Sequence, residues 1–306
     1  KAYAFSNGVA IIPVHGVLVN RFSHSWGYVT GYNFIRNQYE AALKDEDVRA
    51  IVLDCNSPGG MVAGCFETAS LIYKNRDTKP TLSVVDSSSY SACYAIASSA
   101  GKMMVVPSAG VGSIGVVATH VNIGPMLEKM GIEVSFIHAG KHKVDGNPYQ
   151  ALPDDVKKAI QASIDKGYDT FVKTVARNRN LSAESVRSTE ANIYDADEAL
   201  ALGLIDAIET PSKAIGNFLN ELSGSNDQQE HYMSQKDTVR TGAEGKEPVV
   251  DQSAIVAEAR KAERERMAGI MNCDEAKGKE KLANHLATNT ELSLEDAKAI
   301  LCAAAP

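Results

Sequence analysis

Apolar positions along the first two-thirds of the chain follow two different periods. Val9 to Val19 alternates apolar and polar around His15-Gly16, which suits strands near a sheet edge. Asn33 to Leu43 switches to helical spacing through Phe34, Ile35, Tyr39 and Leu43. Ala50 to Leu53 is a short apolar run, followed by Asn56-Ser57-Pro58-Gly59-Gly60 and a helical pattern through Phe66, Ala69 and Ile72. Thr81 to Val85 repeats the scheme, with a serine-rich turn and an alanine-rich segment from Ala92 to Ala100 behind it. Met103 to Val106, Ser113 to Val117 and Val134 to Ile137 complete the strand candidates. The clearest helix is Asp154 to Val175, with Val156, Ile160, Ile164, Phe171 and Val175 on one stripe and two aspartates at its positive N-terminal end. Asp197 to Leu202 reads as a short helix stopped by Gly203, leading into Leu204 to Ile208. Strands alternating with helices predict an α/β fold of right-handed βαβ units, a parallel sheet flanked by helices.

Beyond Pro211 the pattern thins. Ser223 to Pro248 has no period and reads as flexible, so residues 211–253 are expected to be a linker. Ala254 to Ile270 is charged and alanine-rich, a solvated or partner-binding helix. Ser293 to Ala304 fits a last helix, with Ser293 as cap and Asp296 three places on. Residues 254–306 are therefore expected to be a separate, largely helical segment, and residues 1–210 the main domain.

At 306 residues the chain has room for one large domain or two smaller ones. A net charge of −7 leaves no electrostatic footprint for nucleic acid. No apolar run reaches the ~18 residues of a membrane-spanning helix. The chain starts at Lys1, which suggests processing or a truncated start, and no signal peptide is visible there. Five cysteines, without CxxC or a histidine at zinc spacing, argue against a disulfide framework or structural zinc and for a reducing cytoplasm.

Two turns could carry chemistry. Gly59-Gly60 after an apolar strand can aim backbone N–H groups at an anion, and the spacings of the dinucleotide and P-loop fingerprints are absent. An oxyanion hole for acyl transfer is one use, and a plain turn is the bland alternative. In Asp86-Ser87-Ser88-Ser89-Tyr90-Ser91-Ala92-Cys93 any of Ser87, Ser88, Ser89 and Ser91 could be a nucleophile at a helix start. Serines also cap helices, and position alone does not choose among the four. Cys93 fits better as a small packed residue. The base could be His15, His24, His120, His138 or His142, or Lys143 held neutral by burial, in the loop Gly140 to Pro148. A solvated lysine is the ordinary alternative.

Taken together, Ser57-Pro58-Gly59-Gly60-Met61-Val62-Ala63-Gly64, Gly112-Ser113-Ile114-Gly115-Val116, His142-Lys143-Val144-Asp145-Gly146-Asn147-Pro148-Tyr149 and Leu202-Gly203-Leu204-Ile205-Asp206 resemble the signal peptide peptidase A-like serine peptidases. That family shares the Clp protease/crotonase type of fold. The resemblance is closer still to the capsid assembly proteases of lambda-like phages, and it resumes at Gly269 to Ala276 and Ala299 to Pro306. It implies Ser91 as nucleophile, Lys143 as general base, and an oxyanion hole from Gly59-Gly60 and Ala92, with no metal or cofactor. Ala92-Cys93 stands where the peptidase A branch has Gly-Gly; Ala still supplies an N–H.

The resemblance further implies an endopeptidase of procapsid maturation in the host cytoplasm. It would act on scaffold, its own chain, and capsid or portal proteins, as a homo-oligomer, away from membranes and nucleic acid. Residues 254–306 would serve as scaffold, with Met233 as a start for a separate scaffold product. Competing readings are a Clp-type Ser-His pair with His120, a crotonase-like acyl-CoA enzyme, and an inactive scaffold.

Overall fold

The computed structural model describes residues 1–222, 265–289 and 293–303. The chain divides into two units between Asp237 and Thr238. In the first unit the strands are β1 (Ala4–Ser6), β2 (Val9–Val19), β3 (Val29–Gly31), β4 (Ala50–Gly60), β5 (Thr81–Tyr90), β6 (Lys102–Val105), β7 (Gly110–Gly112), β8 (Ile193–Tyr194) and β9 (Ala207–Ile208). The helices are α1 (Tyr32–Lys44), α2 (Cys65–Asn75), α3 (Ala92–Ala97), α4 (Gly124–Lys129), α5 (Asp154–Arg179), α6 (Ala183–Arg187), α7 (Ala196–Ala201) and α8 (residues 211–222).

The strands form one sheet in the order β1-β2-β4-β5-β6-β9, with β3 beside β2, and β7 and β8 continuing from β5. Among the described strands only β1–β2 and β7–β8 pair antiparallel; the remaining pairs are parallel, with helices in the crossovers from β2 to β4, β4 to β5 and β5 to β6. Side chains of β4 alternate between two cores. Ile51 and Leu53 join Ile12, Leu18, Tyr39, Ile72 and Phe171 on one face, while Ala50 and Val52 join Val9, Leu82 and Phe218 on the other. Burial on both faces is why these strands read as continuous apolar runs.

Helix α8 supplies the cover on the second face, through Ala214 and Phe218. Residues 211–222, expected to open the linker, therefore belong to the fold. The rest of that expected linker, Met233 and residues 254–264 lie outside the described residues.

Two expected turns are strands. Asn56 to Gly60 continues β4, and Ser87 to Tyr90 continues β5, with Ser57 opposite Ser89 in the ladder. Gly59-Gly60 therefore ends a strand and does not open a helix, since α2 starts only after Gly64. The polar residues misled because ladder pairing satisfies their backbone whatever the side chain. Two expected strands are absent: Ser113 to Val117 follows β7 as irregular chain, and Val134 to Ile137 pairs with no described strand. Positive φ at Gly112 (114°) and Ser113 (53°) turns the chain out of the sheet. From there to Asp155 no residue after Ile114 is buried.

The second unit contains α9 (residues 265–272), a 3-10 turn (Asp274–Ala276), α10 (Glu280–Asn289) and α11 (Leu294–Ala303). They enclose a small core of Ile270, Leu286, Ala297 and Leu301. Ser293 caps α11 as expected, its hydroxyl accepting the Asp296 N–H at 3.1 Å.

Candidate active site

Ser91 stands where β5 ends and α3 begins, with φ 53° and ψ −124°. Such a backbone conformation costs about 1–3 kcal/mol and persists only where surroundings enforce it. Here its N–H donates to the Gly112 carbonyl at 2.9 Å, and its carbonyl accepts the Ala95 N–H at 3.1 Å. Every side chain of α3 is buried, which holds the helix against the sheet. Ser91 is the one predicted serine at the junction. Ser87 and Ser88 lie on β5, where the Ser88 hydroxyl faces Asn56, and Ser89 is fully buried with its hydroxyl on the Cys93 sulfur at 3.3 Å. Cys55, Cys65 and Cys93 are free and buried beneath this turn, as packing residues are. Burial pushes the Cys65 thiol up to about 12.

Gly59 faces Ser91 directly. A Cβ on it would lie 2.7 Å from the Ser91 Cβ and 3.1 Å from its Oγ, and its φ of +110° disfavours any side chain. The buried Ser57 hydroxyl accepts the Gly59 N–H at 3.0 Å and steadies the turn. At Gly60 a Cβ would meet the Leu18 carbonyl oxygen at 1.9 Å. The next N–H, of Met61, donates to that same carbonyl at 2.9 Å. Successive N–H groups of a strand point to opposite sides, so the Gly60 N–H is aimed away from β2, toward the β5 side that carries Ser91. Ala92 is the first residue of α3, where an N–H has no intrahelical partner. Ser57 and Gly112 were not singled out for these supporting roles in the sequence; only spacing from Gly59 and Ser91 in the folded ladder reveals them.

The bases are placed differently. Lys143 is exposed, its backbone N–H bonded to the Gly140 carbonyl at 3.2 Å, and no described hydrogen bond or ion pair joins it to Ser91. His120 bonds the Asn147 carbonyl at 2.9 Å, and His142 pairs with Asp145 at 2.8 Å. His138 bonds the Gly140 carbonyl, and His24 lies tilted against the Phe22 ring. His15 sits on β2 at 2.9 Å from Asp54, and this hydrogen bond raises its pKa above the usual imidazole value. None of these histidines bonds Ser91 among the described residues. A hollow of about 660 Å³ lined by Leu127, Ile132 and Tyr149 belongs to the exposed segment and contains no predicted site residue. The described residues hold no cluster of three or more metal-ligating side chains.

A serine strained at a strand-to-helix turn, facing a glycine of the neighbouring parallel strand, is the arrangement of acyl-transfer hydrolases. Comparison with known proteins agrees. Residues 73–223, which include Ser91 and Lys143, match the model of peptidase family S49. The chain is 36% identical over 99% of its length to Capsid assembly protease C of Escherichia phage lambda, of which it covers 74%. It is 35% identical over its whole length to Head-tail preconnector protein GP5 of Enterobacteria phage P21, of which it covers 58%. Putative signal peptide peptidase SppA of Enterococcus faecium is 28% identical over 62% of this chain, 55% of its own length. The chain belongs to peptidase family S49, and its parallel, helix-flanked sheet is of the expected Clp protease/crotonase type.

Proposed function

We propose that this chain is a serine endopeptidase of phage procapsid maturation, working through a Ser91/Lys143 dyad. The observation that carries the reading is the strained Ser91 turn with Gly59 pressed against it. Neutral Lys143 takes the Ser91 proton and the alkoxide attacks a peptide carbonyl. The N–H groups of Gly60 and Ala92 hold the oxyanion. The lysine ammonium then protonates the leaving amine, and water releases the acyl-enzyme. This chemistry calls for no metal or organic cofactor.

A lysine that serves as a base needs a dry environment, and Lys143 is exposed on its own segment. Val117, Val121, Met126, Met130, Ile132 and Ile137 are all large, apolar and exposed between Gly115 and Asp155. A homo-oligomer that covers them gives the lysine the burial it lacks, so self-association is part of the reading. The lambda relative is named a capsid assembly protease and the P21 relative a head-tail preconnector protein. Capsid, portal and scaffold proteins and the chain itself are accordingly the proposed substrates, inside the procapsid in the host cytoplasm. No described helix is long and apolar enough to cross a membrane.

Mass spectrometry of the purified chain beside its Ser91→Ala and Lys143→Ala forms tests the assignment. Self-cleavage fragments are expected from the parent alone. Identical fragments from Ser91→Ala overturn the nucleophile, and fragments from Lys143→Ala that vanish in His120→Ala move the base to His120.

A further inference from the structure

Two glycines in succession leave a turn free to flex, yet an oxyanion donor works only if its N–H is held to within about 0.5 Å. Before the turn, the Ser57 hydroxyl accepts the Gly59 N–H at 3.0 Å. Behind it the chain is anchored twice at Met61. The Met61 N–H donates to the Leu18 carbonyl at 2.9 Å, and the Met61 carbonyl accepts the Tyr32 hydroxyl at 2.6 Å. That second anchor comes from the first residue of α1, a fully buried side chain.

Tyr32 has little slack. Gly31, just before it, packs so closely that a Cβ there would meet the Phe22 carbonyl oxygen at 1.6 Å, and its N–H donates to the His24 carbonyl at 3.0 Å. Gly64, at φ +92°, closes over the phenol ring, where a Cβ would lie 2.8 Å from Tyr32 Cδ2. Burial holds the hydroxyl proton well above the ordinary phenol value, so near neutral pH the group is an uncharged donor. Enclosed in the core and committed to Met61, it acts on the chain itself and not on a substrate.

The same hydroxyl leads to the other half of the proposed oxyanion hole. Cys65, the first residue of α2, has its sulfur within hydrogen-bonding reach of the Tyr32 hydroxyl. Its thiol donates to the Ala92 carbonyl, with sulfur and oxygen 3.6 Å apart. Gly60, immediately before Met61, and Ala92 are the two proposed N–H donors. The contacts Met61–Tyr32–Cys65–Ala92 therefore connect them through two buried side chains, in addition to the β4–β5 ladder.

We propose that Tyr32 is a positioning residue for acyl transfer, holding the Gly59-Gly60 turn through the Met61 carbonyl and bracing it against Ala92 through Cys65. The inference rests on the Ser91 peptidase reading and adds the group that keeps the two oxyanion donors at a fixed spacing.

The test measures kcat and KM of the full chain on a fluorogenic peptide built on a self-cleavage sequence. The native fraction of each preparation is read from its unfolding curve. Tyr32→Phe, which removes one oxygen, is expected to lower kcat by ~10- to 100-fold with KM within about twofold, as for a misplaced catalytic group. Cys65→Ala should lower kcat in the same way, and Cys65→Ser, whose hydroxyl can still donate to the Ala92 carbonyl, should restore most of that loss. Packing alone gives the reverse order, because a hydroxyl at an apolar buried position costs more than a methyl group. The double form Tyr32→Phe/Cys65→Ala should be little slower than Tyr32→Phe, since both cut one brace. A Tyr32→Phe form with kcat within twofold of the parent, or with a change confined to KM, overturns the proposal. So does a Cys65→Ser form no faster than Cys65→Ala, and that order still decides if Tyr32→Phe fails to fold. Cleavage that depends on Ser91 but ignores Tyr32 sinks this inference alone, whereas cleavage that survives Ser91→Ala sinks the peptidase reading with it.

Discussion

The strand ends around Ser91 and the segment from Gly115 to Asp155 contrast in how their backbone and side chains are satisfied. At the strand ends, Ser57, Ser89, Ala92 and Cys93 are buried, and the backbone of Ser91 is held on both sides by hydrogen bonds. In the other segment nothing is buried, and its large apolar side chains face outward. The proposed nucleophile and oxyanion donors are thus set by the fold of one chain. The proposed base sits on a surface that still has apolar area to cover. A peptidase divided in this way would stay idle until copies meet.

The contrast can be broken from either side. Replacing Ser91 by Ala should lower self-cleavage by about 10⁴-fold or more, measured by fragment mass, and Lys143→Ala should do nearly the same if the two act as a unit. Gly59→Ala forces a Cβ to within 2.7 Å of the Ser91 Cβ. A loss of ~100- to 1,000-fold in kcat is expected, as for removal of an oxyanion donor. A fully active Gly59→Ala would show that the turn is not where the carbonyl sits. Phe218→Ala, on α8, should cost about 3 kcal/mol in denaturant unfolding by opening the second core. A near-neutral result would make residues 211–222 a linker after all.

The exposed segment should answer in the opposite way. Ile137→Asp or Met130→Asp is expected to leave the unfolding free energy within ~0.5 kcal/mol while lowering association and activity together by about tenfold. Sedimentation across a concentration series checks it; unchanged assembly with unchanged activity would remove the oligomer from the account.

The smallest expected effect is at His15. Its pKa is raised from 6.5 by the hydrogen bond that its N–H donates to Asp54, so the folded state holds the proton more tightly than the unfolded chain. The stabilisation is fully present below pH 6.5 and disappears as pH climbs through the raised value. Both side chains are partly exposed, so at most ~1 kcal/mol is expected. Unfolding of His15→Gln against pH should lack that slope.

Much of the fold was legible because burial imposes a period. The stripe Val156, Phe171 and Val175 marked α5, which runs Asp154–Arg179, and the apolar runs at Ala50 and Thr81 marked β4 and β5. The reading failed where polar residues lie in strands. Ser57 and Ser89 are paired across the ladder and buried with their hydroxyls satisfied, so neither alternation nor hydrophobicity announced them. It failed again at Val134 to Ile137, where β-branched residues predicted a strand and no described partner strand pairs with them.

By itself the sequence determined the α/β class, the order of the main elements and the resemblance that picks out Ser57 to Gly60, Ser91 and Lys143. These are properties of neighbouring residues and their spacing, and they need no knowledge of what lies across the sheet. Tertiary structure decided which of four serines is strained, which glycine meets it and which side the Gly60 N–H takes. Each depends on contacts between residues far apart in the chain: Gly59 against Ser91, Gly60 against Leu18, Ser91 held by Gly112. A local pattern records what a residue prefers; only closing the sheet determines what it touches.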